Sequence, residues 1–367
     1  MRIGIDAKRI FSNPTGLGVY GRNLIAGLSQ LPSKNQYTLF APSLSDKLVD
    51  YKTLPNNFNF LEKKGFSSYY WRTFSIKNSL QALNLDIYHG LSNELPWGIE
   101  KMDIKTIVDI HDLCFVRYPK DYSWLDRQVF WFKSLRAAQM STKIIATSMA
   151  TKRDIIELLK IPESKIEVVY QCCDSSFYQQ LDKAYIGKTK TKYQLPDQYV
   201  LSVGTIQGRK NQKSIVEAMA QIDFKKRLPI VLVGQGTHYL DELLALALDK
   251  KVEVQIIDQA STADLPAIYQ GAEIFIYPSF VEGFGIPVLE AMASQIPVIT
   301  SINTSMEEII QQKDALINPN NVNSISSKIL SFLEQYPEDL VRKAHQRSLM
   351  FSKEKFAREV LAIYEDL

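Results

Sequence analysis

Apolar residues fall along this chain in two kinds of run, and the two kinds alternate. Short continuous apolar runs at 3–6, 105–110, 143–147, 199–203, 230–233 and 273–277 read as strands buried on both faces. Longer stretches with apolar positions three and four apart, as in 124–140, 151–159 and 353–367, read as helices with one buried stripe. Such alternation predicts parallel α/β sheets. It restarts after a polar, lysine-rich interval at 179–196, which ends at Pro196 and reads as part of a hinge. A chain of 367 residues is long for one core. The expected division is a first domain over 1–172, with helix 353–367 packing back on it, and a second over 173–352.

Chemistry-bearing residues gather where predicted strands end. After strand 273–277 come Gly283 and Gly285, then a helix with Pro287 as its expected first residue. Glycine lets the loop turn tightly, and the free N–H groups of Phe284, Gly285 and Ile286 at a helix start suit an anion such as phosphate. Glu282 and Glu290 bracket this loop. Carboxylates accept from hydroxyls rather than bind phosphate, so the set suits a sugar–diphosphate–ribose ligand. After strand 199–203 stand Thr205, Arg209 and Lys210, a cationic pair fit for a diphosphate. His89 and His111, two of four histidines, close strands nearer the start, with Glu94 and Asp112 beside them. Gly16, Gly18 and Gly21 match a dinucleotide fingerprint in letters only. They follow the first strand too late, and no acidic residue closes the next strand.

The run Glu282-Gly283-Phe284-Gly285-Ile286-Pro287-Val288-Leu289-Glu290-Ala291-Met292 resembles the retaining glycosyltransferases of the GT-B fold, family 4, and its mannosyltransferase-like members. The resemblance spans essentially the whole chain, with motifs in order. It implies two Rossmann-like domains facing across a cleft that holds a nucleoside-diphosphate sugar. Gly16 and Gly18 would cover the donor diphosphate. Lys210 and Arg209 would stabilise its departing charge, although many relatives carry an arginine where Thr205 stands here. Glu290 would hold the ribose, Glu282 the sugar, and the strand end at Ile257 the base. His111 would touch the sugar's far hydroxyl. His89, Glu94 and Asp112 would lie on the acceptor side. The implied reaction is retaining, metal-independent hexosyl transfer, mannose from GDP-mannose favoured, to a hydroxyl of a glycan or lipid-linked glycan in polysaccharide biosynthesis. No cofactor beyond the donor is implied. A nucleotide-sugar 2-epimerase of the same fold and a non-catalytic nucleotide-sugar binder are the rivals.

Composition narrows this further. Hydrophobic content of 46% with 23% charge is that of a water-soluble globular chain. No long apolar run predicts a membrane span. The first strand-like residues do not read as a signal peptide. Cys114, Cys172 and Cys173 have no metal or disulfide spacing, which points to a reducing, cytoplasmic compartment. Net charge is +3, split as +6 over residues 1–180 and −3 over the rest, with no basic run; nucleic acid is not an expected partner. Residues 66–77, rich in aromatics, read as a helix with a large buried face, with peripheral contact at the inner membrane face as the second reading.

Overall fold

The computed structural model describes residues 1–45, 48–63 and 70–367, so the first part of the aromatic stretch, 66–69, lies outside the described residues. Backbone contacts divide the chain into two units. One comprises Met1–Val116, Trp124–Cys172 and Phe351–Leu367, the other Arg117–Ser123 and Cys173–Met350.

Among the described residues, the first unit holds a seven-stranded parallel sheet. Its strands are β1 (Arg2–Asp6), β2 (Gln36–Ala41), β3 (Phe58–Glu62), β4 (Ile87–Gly90), β5 (Lys105–Ile110), β6 (Lys143–Ala146) and β7 (Ile166–Val168), in the order β3-β2-β1-β4-β5-β6-β7. The second unit holds six: β8 (Val200–Val203), β9 (Ile230–Val233), β10 (Val254–Ile257), β11 (Ile274–Tyr277), β12 (Val298–Ser301) and β13 (Leu316–Ile317), in the order β10-β9-β8-β11-β12-β13. Helices cover both faces, which is why these strands read as unbroken apolar runs. Each sheet reverses its order once. On β1, Ile5 pairs with Leu39 of β2 on one side and His89 of β4 on the other. β8 likewise lies between β9 and β11. Parallel sheets bind ligands at the carboxyl ends of the strands flanking such a reversal.

The last helix, Lys353–Glu365, is part of the first unit. Its Phe356 ring lies 5.0 Å from Tyr20, and Val360 and Tyr364 are fully buried in the same core.

Three segments take local structure that the apolar pattern does not give. The interval after β1 holds a short helix, Lys8–Ser12, because Ile10 and Phe11 have a core to bury in. The glycines at 16, 18 and 21 form the first turns of helix Gly16–Gln30 rather than a loop ahead of it. Gly18 is required there, since a Cβ would lie 1.8 Å from the Asn13 carbonyl oxygen. The interval 179–196, read as hinge, contains helix Lys183–Tyr193. Asp182 caps that helix by accepting from the Ala184 N–H, and Lys192, Tyr193 and Tyr185 anchor it on Asp264.

Candidate active site

The reversal between β8 and β11 carries a buried charge cluster. After β8, Gly204 takes φ +131° and the chain turns through Gly208–Lys210. Asn211, at φ +58°, ends the turn and ties it to the loops after β11 and β13 by donating to the Pro278 and Pro319 carbonyls. This turn presents Arg209 and Lys210 inward. After β11, the loop 278–285 ends at Gly285, whose φ of +113° favours glycine and caps helix Ile286–Ala293. The helix thus opens at Ile286, with Pro287 second.

Three donors converge on Oε1 of Glu282: Arg209 Nη1 at 2.8 Å, Lys210 Nζ at 2.7 Å and the Ser279 hydroxyl at 2.7 Å. Glu282 is 9% exposed. Burial pushes its carboxyl up, but the two cations outweigh it and hold the group at about 2. Lys210 also donates to the Tyr277 hydroxyl and lies over that ring at 4.8 Å. Arg209 and Lys210 thus stand side by side at the carboxyl end of β8, where a guanidinium and an ammonium group can receive an anionic ligand. Glu290, on the helix behind Gly285, accepts from the Tyr269 hydroxyl at 2.7 Å. Burial raises Glu290 to about 7 against the pull of that bond, with Asp174 adding to the rise. Gly283 and Phe284 are buried in the same loop, Thr205 is exposed beside Gly204, and Ile257 is buried at the end of β10.

In the first unit His111 follows β5 and is almost completely buried. Its Nε2 lies 2.8 Å from the Leu91 carbonyl, which can only accept, so Nε2 carries the proton and Nδ1 is the acceptor. Burial lowers its pKa, and the ring is neutral at pH 7. Asp112 caps the helix that follows, accepting from the Cys114 N–H at 3.0 Å. Glu94 stands in the loop after β4, paired with Arg72 and with Lys133 at 2.7 Å. His89 corrects its expectation. It points into the core, fully buried between Asp109 and the Tyr364 hydroxyl, each at 2.7 Å, and is closed to any acceptor.

Several contributors escape sequence reasoning. Tyr277 and Tyr269 read as core aromatics, and Ser279 as a loop residue. Asp121, from the Arg117–Ser123 segment, accepts the Arg209 backbone N–H at 2.8 Å, while Tyr118 stacks on Phe280 at 5.6 Å and 10°. The adjacent Tyr-Pro-Ser ahead of Glu282 was the available signal for two of these; Asp121 had none.

A family model described as glycosyl transferases group 1 matches residues 188–347, and one described as Glycosyltransferase Family 4 matches residues 14–177. O-antigen chain mannosyltransferase B of Escherichia coli is 30% identical over 288 residues, 76% of this chain and 74% of that protein. The chain belongs to the group 1, family 4 glycosyltransferases. Serotype-specific mannosyltransferase WbdA of Escherichia coli is 27% identical over 274 residues, and the match spans only 32% of that longer protein. The fold is that of GT-B glycosyltransferases: sucrose-phosphate synthase from Thermosynechococcus elongatus superposes with a TM-score of 0.79 at 17% identity, over 100% of this chain and 98% of that one. Among the described residues, no helix is long and apolar enough to cross a membrane.

Proposed function

We propose that this glycosyltransferase transfers a hexose, mannose by preference, from a nucleoside-diphosphate sugar to a hydroxyl of a glycan or lipid-linked glycan, with retention at the anomeric carbon. The observation that carries the reading is the convergence of Arg209 and Lys210 on Glu282 at the β8–β11 reversal, beside the glycine-capped start of helix Ile286–Ala293. Arg209 and Lys210 neutralise the diphosphate as its bond to the sugar breaks, aided by backbone N–H groups after Gly283. Glu282 is ionised at any physiological pH. It accepts from sugar hydroxyls and faces the positive charge that develops near the anomeric carbon. Glu290 accepts from the ribose hydroxyls, and His111 offers a neutral Nδ1 to a sugar hydroxyl. The cations perform the charge neutralisation a divalent ion performs elsewhere, so the reaction is assigned as metal-independent. GDP-mannose is the favoured donor, because the relatives above are mannosyltransferases by name.

The test is a thermal-shift screen across GDP, UDP and dTDP and their sugars, followed by transfer assays with and without excess chelator. Tight binding of one diphosphate raises apparent stability by mass action. The reading fails if no nucleotide stabilises the protein, and its metal-free form fails if chelator abolishes transfer. Donor incubated without acceptor distinguishes the epimerase, which would yield the epimeric sugar. NMR of the product's anomeric proton decides retention.

A further inference from the structure

The turn that presents Arg209 and Lys210 cannot satisfy its own backbone. Gly208–Lys210 is a single 3₁₀ turn, in which the Lys210 N–H donates to the Gln207 carbonyl at 3.0 Å and the Asn211 N–H to the Gly208 carbonyl at 3.1 Å. The N–H of Arg209 comes too early in the turn to have such a partner, so its acceptor must come from elsewhere. Asp121 supplies it, with Oδ2 at 2.8 Å from the Arg209 nitrogen. Asp121 arrives on Arg117–Ser123, a segment of the second unit whose neighbours in sequence on both sides, Val116 and Trp124, belong to the first.

The contact is wider than one hydrogen bond. A Cβ on Gly208 would lie 2.5 Å from Asp121 Oδ1 and 3.4 Å from the Tyr118 ring, so the segment packs close against the one residue type that leaves room for it. The Tyr118 ring stacks on Phe280. Phe280 in turn donates its N–H to the Arg209 carbonyl at 2.9 Å, joined there by the Ser279 hydroxyl at 3.0 Å. The backbone of Arg209 is thus held at both ends, its N–H by Asp121 and its carbonyl by a residue on which Tyr118 lies. From that fixed backbone Arg209 Nη1 reaches the Val281 carbonyl at 3.0 Å and Glu282 at 2.8 Å, and Lys210 meets the same carboxylate from the next position.

A carboxylate here can act on a nearby phosphate in two opposite ways. It can order the turn that carries the cations, or it can repel the phosphate and compete for the same N–H. The close packing against Gly208 and the hold on both ends of Arg209 favour ordering, since an acid that only lent charge would need neither. We propose that Asp121 is a positioning residue for the donor diphosphate, holding the Gly208–Lys210 turn so that Arg209 and Lys210 face the ligand. It acts through the backbone of Arg209 and does not touch the donor. That the ligand is a donor diphosphate rests on the function proposed above; that Asp121 orders the turn does not.

Calorimetric titration of the full chain with GDP and with UDP tests it, with exchange of the Arg209 amide proton followed in the same variants. Wild type should bind at least one of the two. Asp121→Ala should weaken that binding by about tenfold or more, the scale of one lost hydrogen bond to a charged group, and should speed exchange at Arg209. Asp121→Asn keeps an oxygen that accepts the same N–H, so its affinity should stay within about threefold of wild type. Gly208→Ala should weaken binding by pushing Asp121 away, and should add nothing in the Asp121→Ala background, because both changes break one contact. A role in stability alone would lower Tm in Asp121→Ala and leave affinity where it was. Lys210→Ala separates this role from the donor reading. If Lys210→Ala loses affinity and Asp121→Ala does not, the positioning role is overturned and the donor reading stands. If Asp121→Ala loses affinity and Lys210→Ala does not, the part given to Lys210 in the donor reading falls and the positioning role stands. Tighter binding in both Asp121 variants would show repulsion in place of ordering and overturn the proposal, as would fully additive losses from Gly208→Ala and Asp121→Ala. Wild type that binds neither nucleotide overturns both readings.

Discussion

At the residue scale, Glu282 is the pivot of the charge cluster at the β8–β11 reversal, since both cations and a hydroxyl meet on one of its oxygens. Removing Lys210 or Glu282 with Ala should lower kcat by about 100-fold or more, the range for preorganised charge acting on a transition state. Circular dichroism should remain that of the wild type. Near-normal turnover in both variants would refute their roles. Glu290 gives a separate signature. Its folded pKa of about 7 lies above the ordinary 4.5, so the folded state holds the extra proton between those values. Stability linked to this group is therefore present at low pH and falls as pH rises from about 4.5 through about 7. Glu290→Gln should flatten that part of a Tm-against-pH curve; an unchanged slope would show that the carboxyl is not buried as described. That Glu282 and Lys210 both stand in strand-to-helix turns was legible in the sequence, because each follows an apolar run closely; that they pair with each other was not. Tyr277 and Tyr269 were not, because a tyrosine in an apolar segment looks like core until its hydroxyl is placed. His89 misled because a position near a strand's end does not tell which face its side chain takes, and its partner Tyr364 comes 275 residues later.

At the element scale, the helix Ile286–Ala293 depends on its cap. Gly285→Ala would force an L-residue to φ +113° and set a Cβ 2.8 Å from Met306 Cγ. The methionine can move, so the backbone strain dominates, about 1–3 kcal/mol. Urea unfolding should report that loss, and donor affinity should fall with it as the N–H groups shift. A variant as stable as wild type would show that the loop tolerates another path. Most strands were legible because unbroken apolar runs mark sheets covered on both faces. The element errors share one cause. Glycines and lysines look like loops locally, but Gly18 sits in a helix because of close approach to Asn13, and 183–193 is helical because Asp264 gathers its side chains from far along the chain.

At the scale of the whole molecule, helix Lys353–Glu365 is a late addition in sequence to a core begun at residue 2. Phe356, Val360 and Tyr364 are buried there, each contributing roughly 1.5–3 kcal/mol by burial. That sum is comparable to the entire net stability of a typical domain, roughly 5–15 kcal/mol. A chain ending at residue 350 should therefore be degraded by trypsin under conditions in which the full chain is resistant. Equal resistance would mean the first unit holds together without this helix. The two-unit plan was legible from the restart of alternation, whereas the transfer of residues 117–123 to the second unit was not. That seven-residue segment places Asp121 against the backbone of Arg209 and Tyr118 against Phe280. Anyone exchanging the second unit between relatives by joining genes at the Cys172–Cys173 junction would thus leave Arg209 with a foreign acid beneath it. A faithful chimera must carry Arg117–Ser123 along with the C-terminal half and return to the original parent at Phe351.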